Sequence, residues 1–386
     1  MNARTHNQVT VIGGGVVGAA IAFTLAHRGI DTALLEAAPD LAYGASGTNS
    51  GVLHTGFDST PGELETELIL RAGRVRPEVL DALQVPVAQI GAVLRPGNDE
   101  DSATIQGLAG NAARNGVTAE IRESDGALLV PGESVTNPVV LTLTLAASAR
   151  LAGAHILTAA RVVALDSSDS GLSITLADGE TLTTDVVINA AGLHADEIAR
   201  MLGDESFEIY PRKGEFFVFE LPGGEVLEQI LLPVPTKRTK GVLVFPTLDG
   251  RVVAGPTAHD QDDKEDWSVR PEAHEEVIDK ARTQFPALRG LEPVATYAGL
   301  RPAGRGSNYV ISPSAADPRL INVAAIRSTG LTASLGIAEY VVDLLSDAGV
   351  PVGDRREIAR LDSAPELGMP WWRRTAERFA ARGAVS

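Results

Sequence analysis

Gln8-Val9-Thr10-Val11-Ile12-Gly13-Gly14-Gly15-Val16-Val17-Gly18 opens the stretch, ending at Glu36, whose reading decides the fold. Gln8–Ile12 reads as a short buried strand and Val16–Arg28 as a helix closed by Gly29. Asp31–Leu35 reads as a second strand ending in Glu36. Gly13, Gly15 and Gly18 thus form G-x-G-x-x-G in the strand–turn–helix setting that gives this motif a mechanism. The first glycine allows a tight turn, the second lets backbone approach a pyrophosphate, and the third lets helix pack on strand. The helix N-terminus offers N–H groups and a positive dipole end to phosphate. Glu36 accepts hydrogen bonds from ribose hydroxyls, and its charge disfavours a 2′-phosphate, which points to FAD or NAD rather than NADP.

Length and composition fit a large enzyme of two packed domains: 386 residues, 44% hydrophobic and 22% charged, without low-complexity tracts or repeats. The net charge of −17 repels nucleic acid and anionic membranes, so an anionic ligand must meet a local cluster of cations. The absence of cysteine excludes disulfides, Fe–S clusters, thiolate nucleophiles and a cysteinyl flavin link. The seven histidines show no metal-type spacing, and no metal is expected. Val9–Ala26 carries no charge and is nearly long enough to span a bilayer, yet three glycines interrupt it where a strand should turn. A cytoplasmic location is the expectation.

Three later segments favour FAD over NAD. Gly44-Ala45-Ser46-Gly47-Thr48-Asn49-Ser50-Gly51 offers small residues whose amides and hydroxyls follow a pyrophosphate and ribityl chain. Asp185–Asn189 reads as a strand ending in Ala190-Ala191-Gly192, suited to close approach by a dinucleotide. Ser328-Thr329-Gly330-Leu331-Thr332 opens an apolar helix whose N-terminus can stabilise negative charge on a reduced flavin.

With these pieces, Pro211-Arg212-Lys213-Gly214-Glu215, Pro235-Thr236-Lys237, Lys240-Gly241-Val242, Gly299-Leu300-Arg301-Pro302 and Arg327–Ser334 stand in order along nearly the whole chain. Together they resemble the D-amino-acid-oxidase-like superfamily of FAD-dependent oxidoreductases. The nearest likeness is to its glycerol-3-phosphate dehydrogenase/oxidase and L-2-hydroxyglutarate dehydrogenase branch. The resemblance implies an α/β (α+β) architecture: a Rossmann-type FAD-binding domain from 1–80, 140–205 and 305–365, and a mixed, antiparallel-sheet substrate domain from 81–139 and 206–304. Residues 366–386 form a C-terminal tail. The strand-like runs Phe216–Phe219, Val242–Phe245 and Arg251–Ala254, separated by Pro and Gly turns, agree with a meandering sheet. The resemblance also implies an adenine contact at Val162 and cofactor contacts along Ala45–Gly51, at Ala191 and Gly192, and at Gly330–Thr332. Leu335 departs from the pattern, since glycine or proline is common there.

Oxidising an alcohol at a flavin needs a group to take the hydroxyl proton and an anchor to orient the carbon. His54 follows the small-residue run and titrates near neutrality, so it is the expected base, with a structural or flavin-attachment role as alternatives. Arg301 is the expected anion clamp, because a planar guanidinium binds carboxylate or phosphate through paired hydrogen bonds. The resemblance places Lys240 over the flavin. Lys237, Arg238 and Lys240, with Arg212 and Lys213, make a basic cluster that favours a phosphorylated or dicarboxylate substrate, and Ser328 and Thr329 are further donors to the same anion. The expected activity is oxidation of a small anionic alcohol, glycerol 3-phosphate first and a 2-hydroxy acid second. An amine or amino-acid oxidase and a flavin-binding scaffold without turnover remain open, with oxygen or quinone as the electron acceptor. The basic, tryptophan-rich segment Pro370–Arg382 suits a membrane interface or a fold-back contact, and the fold-back is the expectation. A chain ending near Leu361 is expected to keep FAD.

Overall fold

A computed structural model of the chain describes residues 6–236 and 241–383, with side chains as far as Arg378. The opening stretch folds as its pattern requires: strand His6–Ile12, helix Val16–Ala26 and strand Thr32–Leu35. The helix is buried nearly all round, which is why it reads as uniformly apolar. It is too short to cross a membrane, and no helix among the described residues is long and apolar enough to do so.

Five parallel strands form the heart of an eight-stranded sheet. In spatial order they are His155–Leu157, Thr32–Leu35, His6–Ile12, Thr181–Asn189 and Leu320–Ala324. Their register brings Ile12, Leu35, Leu157, Asn189 and Asn322 to one edge of the sheet. Gly13, Glu36 and Ala190 follow three of these strands directly, so they meet where open α/β sheets bind ligands, outside the carboxyl ends of the strands. Helices Val16–Ala26, Leu64–Ala82, Pro138–Leu151 and Gly330–Asp347 share one apolar core on one side of this sheet. The antiparallel strands Val162–Ser168 and Gly171–Leu176 help cover the other.

The second sheet has nine strands. The long pair Ile209–Phe219 and Ala295–Gly304 is antiparallel, with Arg212 opposite Arg301 and Gly214 opposite Gly299. Apart from one parallel pairing, Ile230–Leu232 with Ala92–Leu94, its strands are antiparallel. Helix Glu272–Gln284 covers its outer face through Ala273, Val277, Ile278 and Ala281. Val52–Leu53, Ser134–Thr136 and Val87–Gln89 make a third, small sheet, so residues 81–139 divide between two sheets.

The tail is part of the core, as the fold-back reading holds. Helix Trp371–Gly383 buries Trp371 and Trp372. Trp371 meets the Tyr297 ring edge-on at 5.6 Å, and Trp372 Nε1 donates to Asp249 at 3.0 Å. Thr375 Oγ1 donates to the Gly47 carbonyl at 2.6 Å. Arg378 donates to the Tyr43 carbonyl at 2.6 Å, its guanidinium lying 4.0 Å over the Tyr43 ring. These contacts tie the tail to the 43–48 loop, which bears on the expectation that a chain ending near Leu361 keeps FAD. The two indoles alone contribute on the order of 10 kcal/mol of apolar burial before entropy is subtracted. A chain ending at Leu361 is therefore expected to unfold roughly 5–10 °C lower in a calorimetric scan; an unchanged midpoint would mean that the helix rides passively on the surface.

Candidate active site

A cavity of about 790 Å³ runs along the carboxyl edge of the parallel strands and under the second sheet. Backbone with little side chain makes up much of its wall. Gly13, Gly15, Gly44, Ala45, Ala190, Ala191 and Gly192 all line it. A Cβ on Gly13, whose φ is +115°, would sit 2.3 Å from the Ala190 carbonyl oxygen, so only glycine lets the two strand ends approach. Gly18 lies off the cavity, and its hydrogen faces the Gly13 carbonyl where a Cβ would come within 1.9 Å. It serves helix–strand packing, as its place in the motif requires.

Glu36 marks one end of the cavity. Its carboxylate accepts from Gly14 N–H at 2.7 Å and Ala38 N–H at 2.7 Å, and each oxygen keeps a second lone pair. Burial raises the carboxyl above its ordinary value; the backbone donors and Arg161 oppose that rise. Arg161 lines this end, whereas Val162 is buried in the core behind it and does not.

Along the middle, Ala45–Thr48 forms a turn of 3₁₀ helix beside the first glycines. Ser46 Oγ accepts from Val16 N–H at 2.9 Å and so ties the loop to the helix N-terminus. Thr48, Asn49 and Ser50 line the cavity. Gly51 does not. With φ +79° it turns the chain against the Thr136 carbonyl, and its N–H donates to Asn49 Oδ1 at 2.9 Å.

The far end holds the reactive side chains. His54, Arg212, Arg301, Arg327 and Ser328 all line it, followed by Thr329, Gly330 and Leu331 at the start of helix Gly330–Asp347. Arg301 donates to the Thr257 carbonyl at 2.6 Å. Burial pushes its guanidinium down to about 10, with Arg212 and Arg327 adding repulsion and Asp260 opposing. Among the described residues no carboxylate stands within ion-pair distance of Arg301, while Arg212 is paired with Asp260 at 3.3 Å. Gly214 explains how Arg301 fits: a Cβ there would lie 2.3 Å from its Nη2.

Several expected residues stand elsewhere. Lys213 is not a substrate ligand. Successive residues of a strand face opposite sides, so Arg212 and Phe216 face the cavity while Lys213 and Glu215 face away. Lys213 is buried against Asp266 at 2.7 Å. Thr329 gives its single hydroxyl hydrogen to Glu65 at 2.6 Å and accepts from Tyr309 at 2.8 Å, so that hydroxyl is not a donor for an anion. Thr332 lies behind the wall, its Oγ1 accepting from His54 N–H at 3.0 Å. Lys237, Arg238 and Lys240 lie outside the described residues, and Gly241 lines the cavity. Sequence reading missed Glu133, fully buried, which bonds His54 Nδ1 at 2.8 Å, and Arg327 as a cavity cation.

A narrow trough with a carboxylate at one end, glycine turns and a helix N-terminus along it, and cations at the other fits an extended dinucleotide. The profile described as "DAO: FAD dependent oxidoreductase" matches residues 8–344. The chain belongs to this family. FAD is its cofactor, and Gly13, Gly15, Glu36, Ala45, Ser46, Thr48, Asn49, Ser50, Ala191, Gly192, Gly330 and Leu331 line the cavity. Glycerol 3-phosphate dehydrogenase of Caloramator mitchellensis is 30% identical over 88% of this chain and 74% of its own length. L-2-hydroxyglutarate dehydrogenase of Salmonella houtenae is 29% identical over 64% of this chain and 63% of its own. The structure of dithionite-reduced L-α-glycerophosphate oxidase from Mycoplasma pneumoniae, solved with FAD bound, superposes with a TM-score of 0.86 at 25% identity, over 94% of this chain and all of that one. Glu36 presents its carboxylate at one end of this cavity, so Glu36→Lys is expected to lower FAD affinity roughly tenfold or more, read from the flavin-to-protein absorbance ratio after dialysis. Full retention of FAD would remove Glu36 from the cofactor site.

Proposed function

We propose that the chain oxidises the secondary alcohol of a small anion, glycerol 3-phosphate in the first instance, with a 2-hydroxy acid as the alternative. The observation that carries this reading is Arg301: a recessed guanidinium, flanked by Arg212 and Arg327, facing the cavity with no carboxylate of its own. The names of the relatives add support, since they act on a phosphate ester and a dicarboxylate. In a protein of net charge −17, such a cluster selects an anion.

Bound FAD supplies the acceptor for the hydride that leaves the carbinol carbon. Arg301 binds the substrate anion through paired donors and so fixes the alcohol at the other end of the molecule. Ser328, exposed on the same wall, contributes a hydroxyl donor. His54 takes the hydroxyl proton, and Lys240 is the second cation of this reading. Residues 1–80, 140–205 and 305–365 would then serve the cofactor and 81–139 with 206–304 the substrate, joined by the tail helix under the 43–48 loop. Oxygen or a quinone is the acceptor class that goes with this chemistry, and a cytoplasmic location goes with a small anionic metabolite.

Arg301→Met keeps side-chain volume but removes the fork of donors. It is expected to raise KM for glycerol 3-phosphate at least about a hundredfold and to lower kcat as well. His54→Ala is expected to slow anaerobic flavin reduction roughly a hundredfold or more with a smaller change in substrate affinity. Normal binding by the first variant would place the anion elsewhere; normal reduction by the second would strip His54 of its role.

The pH profile gives an independent check. Arg301 is charged below a value of about 10, so anion binding holds through neutrality. It is lost as the guanidinium deprotonates, and kcat/KM, which reports the free enzyme, should fall as pH rises past about 10. A kcat/KM that stays level across that range would contradict a depressed guanidinium as the clamp.

A further inference from the structure

His54 sits at the end of strand Val52–Leu53, and Glu133 precedes strand Ser134–Thr136, which pairs with it in antiparallel register. That pairing brings together two side chains 79 residues apart. Glu133 is fully buried, and its carboxylate is met by Thr55 and by the His54 ring. Thr55 N–H donates to Oε1 at 2.6 Å, Thr55 Oγ1 donates to the same oxygen at 2.8 Å, and His54 Nδ1 meets Oε2 at 2.8 Å. A carboxylate accepts only, so the Nδ1 of His54 carries the hydrogen, and Nε2 is the lone-pair nitrogen of the neutral ring. Arg76 stands behind the pair, donating to the carbonyls of Thr332 at 3.2 Å and His54 at 3.3 Å. Burial lowers the Arg76 guanidinium, and the nearby charge of Glu133 opposes this. Elsewhere on the wall of the cavity that His54 lines stand Asp58, Glu265, Arg212, Arg301 and Arg327.

We infer that Glu133 is the positioning residue for His54: it fixes the tautomer with Nε2 as proton acceptor and stabilises the imidazolium formed when the substrate hydroxyl gives up its proton. The inference rests on the reading of His54 as the base. Three features set it apart from a merely structural contact. Glu133 has no solvent to neutralise it, it spends one oxygen on Thr55 to hold its own orientation, and it gives the other to the imidazole alone. A base oriented by a buried third group is a recurrent arrangement in proton-transfer sites. An adjacent anion favours the protonated form of an imidazole.

Glu133→Gln tests it, since glutamine preserves the shape and an acceptor oxygen while removing the charge. In the FAD-loaded enzyme the variant is expected to reduce with glycerol 3-phosphate roughly 10–100-fold more slowly, with KM changed by less than about threefold. The rising limb of rate against pH should move about one unit lower, because the imidazole loses its stabilising charge. Nitrogen chemical shifts of His54 in ¹⁵N-histidine-labelled holoenzyme, assigned with His54→Ala, should show Nδ1–H in the wild type and a lower titration midpoint in Glu133→Gln. If His54→Ala is slow but Glu133→Gln keeps the wild-type limb and rate, the inference is overturned while the base stands. If His54→Ala itself reduces at the wild-type rate, the underlying reading fails. Should Glu133→Gln not fold, the wild-type spectrum decides: Nε2–H with an unprotonated Nδ1 overturns the inference.

Discussion

A guanidinium recessed from water without a carboxylate is costly, and Arg301 is held in that state by the rest of the structure. Among the described residues its hydrogen bond goes to the Thr257 carbonyl, and two other arginines share its cavity. Around it, every nearby choice makes the arrangement possible. Gly214 leaves room for Nη2, and Thr257 Oγ1 donates to Glu215 at 2.7 Å. Glu215 is in turn gripped by the Arg270 side chain at 2.7 Å and the Arg270 N–H at 2.6 Å. The negative charge needed to repay the desolvation comes with the substrate anion, and so affinity and selectivity share one cause.

The two sheets divide the remaining work. The parallel sheet needs no long side chains at its ligand edge, because backbone amides at strand ends and helix N-termini can meet phosphates. Small residues therefore crowd that wall, and Gly13 and Gly18 permit approaches that any Cβ would block. The antiparallel sheet does the reverse. Its strands alternate faces, so Arg212 and Phe216 present chemistry inward while Lys213 and Glu215 tie the outer layer together. The tail helix closes the seam by binding the Gly47 and Tyr43 carbonyls and setting Trp371 edge-on against Tyr297.

Much of this was legible in the sequence wherever the signal is local. The glycine motif, the acidic end of the second strand and the small-residue loop each carry their physical meaning within a few residues. His54 stood out because it follows such a run, and Arg301 through the resemblance and the chemistry of a guanidinium. What depends on strand parity or on distant pairing was not legible. Lys213 looks equivalent to Arg212 in a string of letters, yet one residue of register sends it to the opposite face. Glu133 carries no motif, and only the pairing of two very short strands brings it to His54. The tail's arginines and tryptophans suit a lipid interface as well as a protein core; in the structure Trp371 and Trp372 are buried in the core.

The central claim is that this cavity couples a bound FAD to the carbinol of a small anion held by Arg301. Anaerobic mixing of the holoenzyme with glycerol 3-phosphate, and separately with glycerol, tests it most directly. The account predicts full loss of the oxidised flavin bands with the phosphate ester and little or none with glycerol at equal concentration, because only the former engages the guanidinium. Equal bleaching by both, or bleaching by amino acids with none by glycerol 3-phosphate, would contradict it.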